Sequence, residues 1–211
     1  MQFLSAGLLA LSALFVGTSA SPVAASYYPP AKSTYIKSVS YAGSGCPAHS
    51  VVGTFSPNFD NINIAFDQYI ASIGPGISIV ESRKNCQLAF TIVYPAGWSY
   101  SISETTYKGY ISLDKYVTAR QQSQYWFQGQ EQSSVTWFSE WTSPKSQDYD
   151  TIPDTTGKET WSPCKSTSSN LIINTQIRLD NRSNKRGSGM ITTDSLNHKV
   201  THVLGCKWKR C

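Results

Sequence analysis

Residues Arg83 to Ile102 read RKNCQLAFTIVYPAGWSYSI. From Cys86, the residues Leu88, Phe90, Ile92 and Tyr94 recur at every second position, with Gln87, Ala89, Thr91 and Val93 between them. That is the period of a strand with one buried face. Pro95-Ala96-Gly97 joins a fixed φ to a residue free to take φ > 0, and the alternation resumes with Trp98, Tyr100 and Ile102 against Ser99, Ser101 and Ser103. The spacing predicts two strands and a tight turn, a hairpin at the centre of an all-β domain, with Cys86 anchoring its first strand.

The first twenty residues precede any fold argument. Phe3 to Gly17 is an uncharged apolar run, too short to span a bilayer, and it ends in Thr18-Ser19-Ala20. It reads as a secretory signal over residues 1–20 cut after Ala20, with Ala25 the alternative site. Residues 21–34, with Pro22, Pro29 and Pro30 among small residues, read as an extended arm, and residues 35–211 as one folded domain. The mature chain of about 190 residues suits a single β-sandwich, able to bury roughly 70% of its unfolded surface. Only 15% of residues are charged, and the formal +5 is weighted toward the end by Lys199, Lys207, Lys209 and Arg210. Such a basic exported chain is expected in the extracellular space, with acidic polysaccharide or anionic membrane among the surfaces that attract it.

Outward from the opening stretch, short strands are predicted at Tyr35–Tyr41, Val51–Phe55, Ile62–Phe66, Ile77–Glu81, Tyr107–Leu113, Val117–Phe127, Ser134–Trp141, Asn170–Leu179 and Met190–Trp208, separated by Gly, Pro and Asn punctuation. Thr142 to Pro163 shows no period and reads as a loop with a short strand near Trp161. No helical period is sustained and no internal repeat occurs. The pattern predicts a two-sheet antiparallel β-sandwich, with a closed β-barrel as the alternative.

Five cysteines, Cys46, Cys86, Cys164, Cys206 and Cys211, enter an oxidising compartment. Five choices of orphan and three pairings of the rest leave fifteen maps open. Leu204, Cys206 and Trp208 share one strand face, so Cys206 is assigned as a buried free thiol, with Cys46 paired to Cys86 and Cys164 to Cys211. A reactive or intermolecular thiol at Cys206 is the competing assignment.

Several phrases carry a family likeness: Gly43-Ser44-Gly45-Cys46-Pro47, Arg83-Lys84-Asn85-Cys86-Gln87-Leu88, Tyr94-Pro95-Ala96-Gly97, Tyr107-Lys108-Gly109-Tyr110, Trp161-Ser162-Pro163-Cys164, Asn174-Thr175-Gln176 and Trp208-Lys209-Arg210-Cys211. In order and spacing they resemble a family of secreted, mainly fungal proteins known as domain of unknown function 4360, over about Tyr41 to Cys211. The resemblance implies a β-sandwich, matches Cys46, Cys86, Cys164 and Cys211, and makes Cys206 the departure. It implies no catalytic set.

The chemistry-bearing residues are sparse. His198 and His202 lie on or beside a strand, where four residues span roughly 13 Å and cannot grip one ion. Asp148, Asp150, Asp154 and Glu159 imitate the carboxylates of a calcium loop, but Pro153 stands where the sharp turn needs Gly. No metal and no cofactor are assigned. Glu81, Glu104, Glu131 and Glu140 form no paired spacing of the kind a glycosidase needs. Aromatic doublets are more informative. In Tyr125-Trp126-Phe127 and Trp137-Phe138 one ring of each must leave the core, and Trp126, Phe138 and Trp141 are the predicted ligand-stacking residues. Cross-strand aromatic pairing on a solvent face accounts for the same pattern. Asn181-Arg182-Ser183 is the only glycosylation sequon.

These readings converge on a secreted, monomeric, non-enzymatic β-sandwich that binds cell-wall polysaccharide, or alternatively a host protein, with no nucleic acid and no stable membrane insertion. An effector or toxin acting on a host or competitor protein or membrane is the second class, and a carbohydrate-active hydrolase the third.

Overall fold

The structure, a computed structural model, describes residues 28–30, 32–152, 154–156, 159–192 and 200–211. The expected signal over 1–20, most of the arm, His198 and Pro153 lie outside the described residues. Two antiparallel sheets face each other. The six-stranded sheet runs β1 (Tyr35–Ala42), β5 (Arg83–Val93), β11 (Ser168–Asp180), β7 (Thr118–Phe127), β8 (Val135–Thr142) and β10 (Asp154–Thr156). The seven-stranded sheet runs β2 (Val51–Phe55), β3 (Asn61–Phe66), β13 (Val200–Arg210), β6 (Trp98–Leu113), β12 (Gly189–Thr192) and β4 (Ala71–Ile73), with β9 (Lys145–Thr151) also on β6. The fold is an open sandwich, not a closed barrel.

The alternation read from Cys86 to Tyr94 holds. Cys86, Leu88, Phe90, Ile92 and Tyr94 are all buried, and the residues between them are not. Each such side chain contributes about 1.5–3 kcal/mol of burial free energy. The hairpin does not form. β5 pairs with β1 and β11, whereas β6 pairs with β13, β12 and β9, so Pro95-Ala96-Gly97 carries the chain from one sheet to the other. Trp98 N donates to Pro95 O at 3.3 Å and Gly97 takes φ +76°. Alternation fixes which residues face the core but not which strand lies alongside, and a corner between sheets satisfies it as well as a hairpin. Tyr94 and Tyr100 therefore meet edge-on across the core, 5.5 Å apart, with Trp208 5.1 Å from Tyr100.

Other boundaries shift for local reasons. β6 is one 16-residue strand where two were expected, with its register against β13 slipping between Gly205 and Cys206. The inward parity changes there from Ile102 to Thr105, so two alternating segments merge through one irregularity. Ile79–Ser82 is a 3₁₀ turn rather than a strand, because Gly74-Pro75-Gly76 and the Glu81 N to Ser78 O bond close the chain locally. The aperiodic Thr142–Pro163 passage holds β9 and β10, both short outer strands whose polar composition hides the period.

Cys46–Cys86 and Cys164–Cys211 are bridged, with Cα separations of 5.6 and 5.7 Å. Each closes a loop of some tens of residues and stabilises by about 2–4 kcal/mol. Cys206 is buried and unbridged, its Sγ donating to Leu204 O at 3.7 Å, and burial pushes its thiol pKa up so that it stays protonated.

Candidate functional site

The site follows from the outward positions of β5, β11 and β7. In β7, TARQQSQYWF, the inward residues Ala119, Gln121, Ser123, Tyr125 and Phe127 are buried, which turns Arg120, Gln122, Gln124 and Trp126 outward. In β11 the buried set Leu171, Ile173, Thr175, Ile177 and Leu179 turns Ile172, Asn174, Gln176 and Arg178 outward. Register then aligns them in rows across the sheet. Ala89, Ile172 and Trp126 form one row, Gln87, Asn174, Gln124 and Thr136 the next, Asn85, Gln176, Gln122 and Phe138 a third, and Arg83, Arg178, Arg120 and Glu140 a fourth. The result is an open platform of amides, apolar at one end and cationic at the other.

Several of these amides have no partner among the described residues. Among the described residues, the side chains of Gln87, Asn174 and Gln176 make no hydrogen bond. Gln124 Nε2 donates to Ser134 Oγ at 2.8 Å, and Arg120 is held by Glu140 Oε1 at 2.6 Å and Gln122 Oε1 at 3.0 Å. The platform therefore offers several amide donors and acceptors to anything laid across it.

The predicted stacking residues divide. Trp126 and Phe138 lie half-buried on the open face, Trp126 beside Ile172 and Phe138 with the Arg120 guanidinium 4.7 Å from its ring centre. Trp141 does not join them. It is 8% exposed and packs at 4.8 Å against Tyr149, because its parity on β8 is that of Val135 and Trp137, which also face inward. Asn181 lies in the turn after β11, where its Nδ2, the atom a glycan would modify, donates to Gly187 O at 3.0 Å.

The carboxylates do not assemble. Glu81 pairs with Lys84 at 2.7 Å and Glu140 with Arg120, while Glu104 sits on β6 and Glu131 in the turn before β8. Asp150 pairs with Lys108 at 2.9 Å and Glu159 with Lys207 at 3.5 Å. Among the described residues no group of three His, Cys, Asp or Glu is placed to hold a metal.

Sequence reasoning missed a polar cluster in the core. Tyr149 OH donates to Gln121 Oε1 at 3.1 Å, and Gln121 Nε2 lies 2.9 Å from His202 Nε2. With its amide oriented by Tyr149, Gln121 donates to His202, which leaves the imidazole proton on Nδ1. Burial pushes the His202 pKa down to about 3, so the ring is neutral. Burial also raises the phenol pKa of Tyr125 to about 12 and holds Tyr69, Tyr107 and Tyr149 protonated. Glutamine at an inward strand position was the available signal.

The outer side of the seven-stranded sheet differs. Ser99 and Ser101 point away from the core yet are fully buried. The segment Thr160–Cys164 lies along β6, where Ser162 N donates to Tyr100 O at 2.8 Å and Ser99 Oγ to Ser162 O at 2.6 Å. The Lys209 ammonium stands 3.9 Å over Trp161 and the Cys164–Cys211 bridge ties the ends, while Trp98, on the inward side with Tyr100, lies 4.3 Å from the Arg210 guanidinium.

The family model for a domain of unknown function, DUF4360, matches residues 32–211. The chain belongs to the DUF4360 family. An uncharacterized secreted protein of Arthroderma benhamiae is 36% identical over 179 residues, 84% of this chain and 71% of the relative. The solved structure of TmCBM61 in complex with beta-1,4-galactotriose aligns over 84% of this chain and 91% of its own, at 8% identity and a TM-score of 0.28, a level that carries no argument. This DUF4360 member is a secreted, disulfide-bonded β-sandwich. No described helix is long and apolar enough to cross a membrane.

Proposed function

We propose that the protein is a non-enzymatic binder of extracellular glycan, taking a sugar chain across the open face of the six-stranded sheet. The observation that carries this is the set of unpaired amides on Gln87, Asn174 and Gln176 beside the half-buried Trp126 and Ile172. Amides answer sugar hydroxyls, and an indole edge or face packs the apolar side of a ring. Retention of the purified protein on insoluble chitin, glucan, mannan and acidic wall polysaccharide tests it. The expected result is retention on at least one polymer, lost on Trp126→Ala with Asn174→Ala. Folded protein retained by none of them removes the reading.

One observation favours a second reading. Ile77, Ile79 and Val80 are 42%, 71% and 68% exposed, and Tyr116 is 59% exposed. Leu113, Gly189 and Ile73 are aligned strand ends, so the loops after Leu113 and Ile73 and before Gly189 share one end of the sandwich with Lys115, Lys185 and Arg186. An apolar tip ringed by cations suits contact with an anionic membrane surface. Co-sedimentation with phosphatidylserine vesicles, abolished by Ile79→Asp with Val80→Asp, supports that reading. No sedimentation of the unmodified chain ends it.

A further inference from the structure

The row Arg83, Arg178, Arg120 and Glu140 crosses four strands in direct register. Three like charges placed opposite one another on neighbouring strands repel and destabilise the sheet they sit on. Only Arg120 is answered by a carboxylate, Glu140 at 2.6 Å. The Arg83 side chain has no ion pair or hydrogen bond among the described residues. Arg178 has only the nearby charge of Asp180, whose carboxylate is already bound by Arg182 at 2.6 and 2.7 Å. The fold thus maintains a cationic row that its own side chains do not neutralise.

Beside that row the surface is hollowed. A depression of about 140 Å³ is lined by Arg120, Gln122, Gln176 and Arg178. Arg120 Nη2 donates to Gln122 Oε1 at 3.0 Å, which occupies that carbonyl and leaves the Gln122 amide N–H groups to the hollow. Gln176 is unpaired, and Arg178 is exposed. Donors therefore outnumber free acceptors there, which is the composition of an oxyanion receptor, with guanidinium forks shaped for a carboxylate.

We propose that this hollow and row recognise the carboxylates of an acidic polysaccharide, a polymer of uronate units, lying across β5, β11 and β7. The proposal rests on the glycan reading above and names its ligand class. Neighbouring strands are about 4.8 Å apart, so a polymer crossing them meets one guanidinium per strand, a spacing on the scale of one sugar unit. The adjoining row, with Gln176 and Gln122, receives the hydroxyls of the same chain, which a bare anion lacks. Glu140, in the row, and Asp180, two residues from Arg178, are engaged by Arg120 and Arg182 and leave the hollow positive.

The test uses the mature full chain with polygalacturonate, the same polymer with its carboxyls reduced to alcohols, and polyphosphate, in matched low-salt buffer. Polygalacturonate is expected to bind at least roughly tenfold more tightly than either other polymer, in keeping with the worth of one hydrogen bond to a charged group. The double variant Arg83→Gln with Arg178→Gln is expected to lose that preference, while Lys165→Gln with Lys209→Gln, which removes the same charge elsewhere, keeps it. Thermal melting of each variant confirms the fold. Equal affinity for the acidic and reduced polymers overturns the carboxylate receptor and leaves the glycan reading standing. Binding to no polymer overturns the carboxylate receptor, and retention on chitin, glucan or mannan then decides the glycan reading separately. Polyphosphate binding as tight as polygalacturonate, or an equal loss in the lysine variant, reduces the effect to diffuse charge and also overturns the proposal.

Discussion

The two outward sheet faces of this sandwich are written in the same alternation yet finish in opposite states. On β6 and β13, Ser99 is buried beneath the Thr160–Cys164 segment with Ser101 buried two residues on, Lys209 covers Trp161, Lys207 meets Glu159 and Lys108 meets Asp150. On β5, β11 and β7, Gln87, Asn174, Gln176, Arg83 and Arg178 face solvent without a side-chain partner. On one face Ser99 and the cations are met from within the chain, with Ser101 Oγ buried and unpaired among the described residues, and on the other the amides and two arginines are left to solvent. The two faces therefore differ in the state of their polar groups, since both carry tryptophan and both carry cations.

The sharpest break of that comparison exchanges tryptophans. Trp98, 2% exposed on the inward side of the covered sheet, should lose about 3–5 kcal/mol on Trp98→Ala, read by urea denaturation, whereas the half-buried Trp126 on the open face should lose clearly less, about 1 kcal/mol, on Trp126→Ala while reducing glycan retention. Next, Cys164→Ser with Cys211→Ser frees the covering segment and should lower stability by about 2–4 kcal/mol, with new hydrogen exchange at Tyr100 and no change in ligand affinity. An effect that accrues unit by unit of pH separates both faces from the core they share. His202 has a folded pKa of about 3 against an ordinary value of 6.5, so between those values the unfolded chain takes up a proton that the native chain refuses. Its stability contribution is complete above pH 6.5 and falls by about 1.4 kcal/mol per unit as the pH drops toward 3. Melting curves from pH 7 to 4 should show that slope, flattened in His202→Phe and kept in Glu140→Gln. Smallest is Arg178→Gln, which removes a like charge from the arginine row and should raise stability by about 0.2–1 kcal/mol while weakening polygalacturonate binding.

The sequence told more about sides than about neighbours. Cys86 to Tyr94 declared its inward face because a period of two leaves no alternative, and the same parity put Trp126 and Phe138 outside. It also held the answer for Trp141, which shares the parity of Val135 and Trp137. Pro95-Ala96-Gly97 misled because a tight turn between alternating strands serves a hairpin and an inter-sheet corner equally. The candidate site stayed hidden for a related reason. Arg120-x-Gln122-x-Gln124-x-Trp126 and Asn174-x-Gln176-x-Arg178 are visible as polar alternation, but their alignment into rows depends on a pairing between residues some fifty positions apart. The covering of Ser99 by Ser162 depends on a similar long-range contact. Local pattern fixes orientation, and only register makes a surface.

On the proposed reading, ligand lies on the six-stranded sheet's outer face. Backbone amide chemical shifts of the labelled mature protein, followed during titration with soluble oligosaccharides of chitin, glucan, mannan and polygalacturonate, test it directly. Changes are expected to cluster at Gln87, Asn174, Gln176, Arg178, Gln122 and Trp126 with at least one of them. Changes clustered instead at Lys207, Lys209 and Trp161, or a folded spectrum unmoved by any of the four, would contradict it.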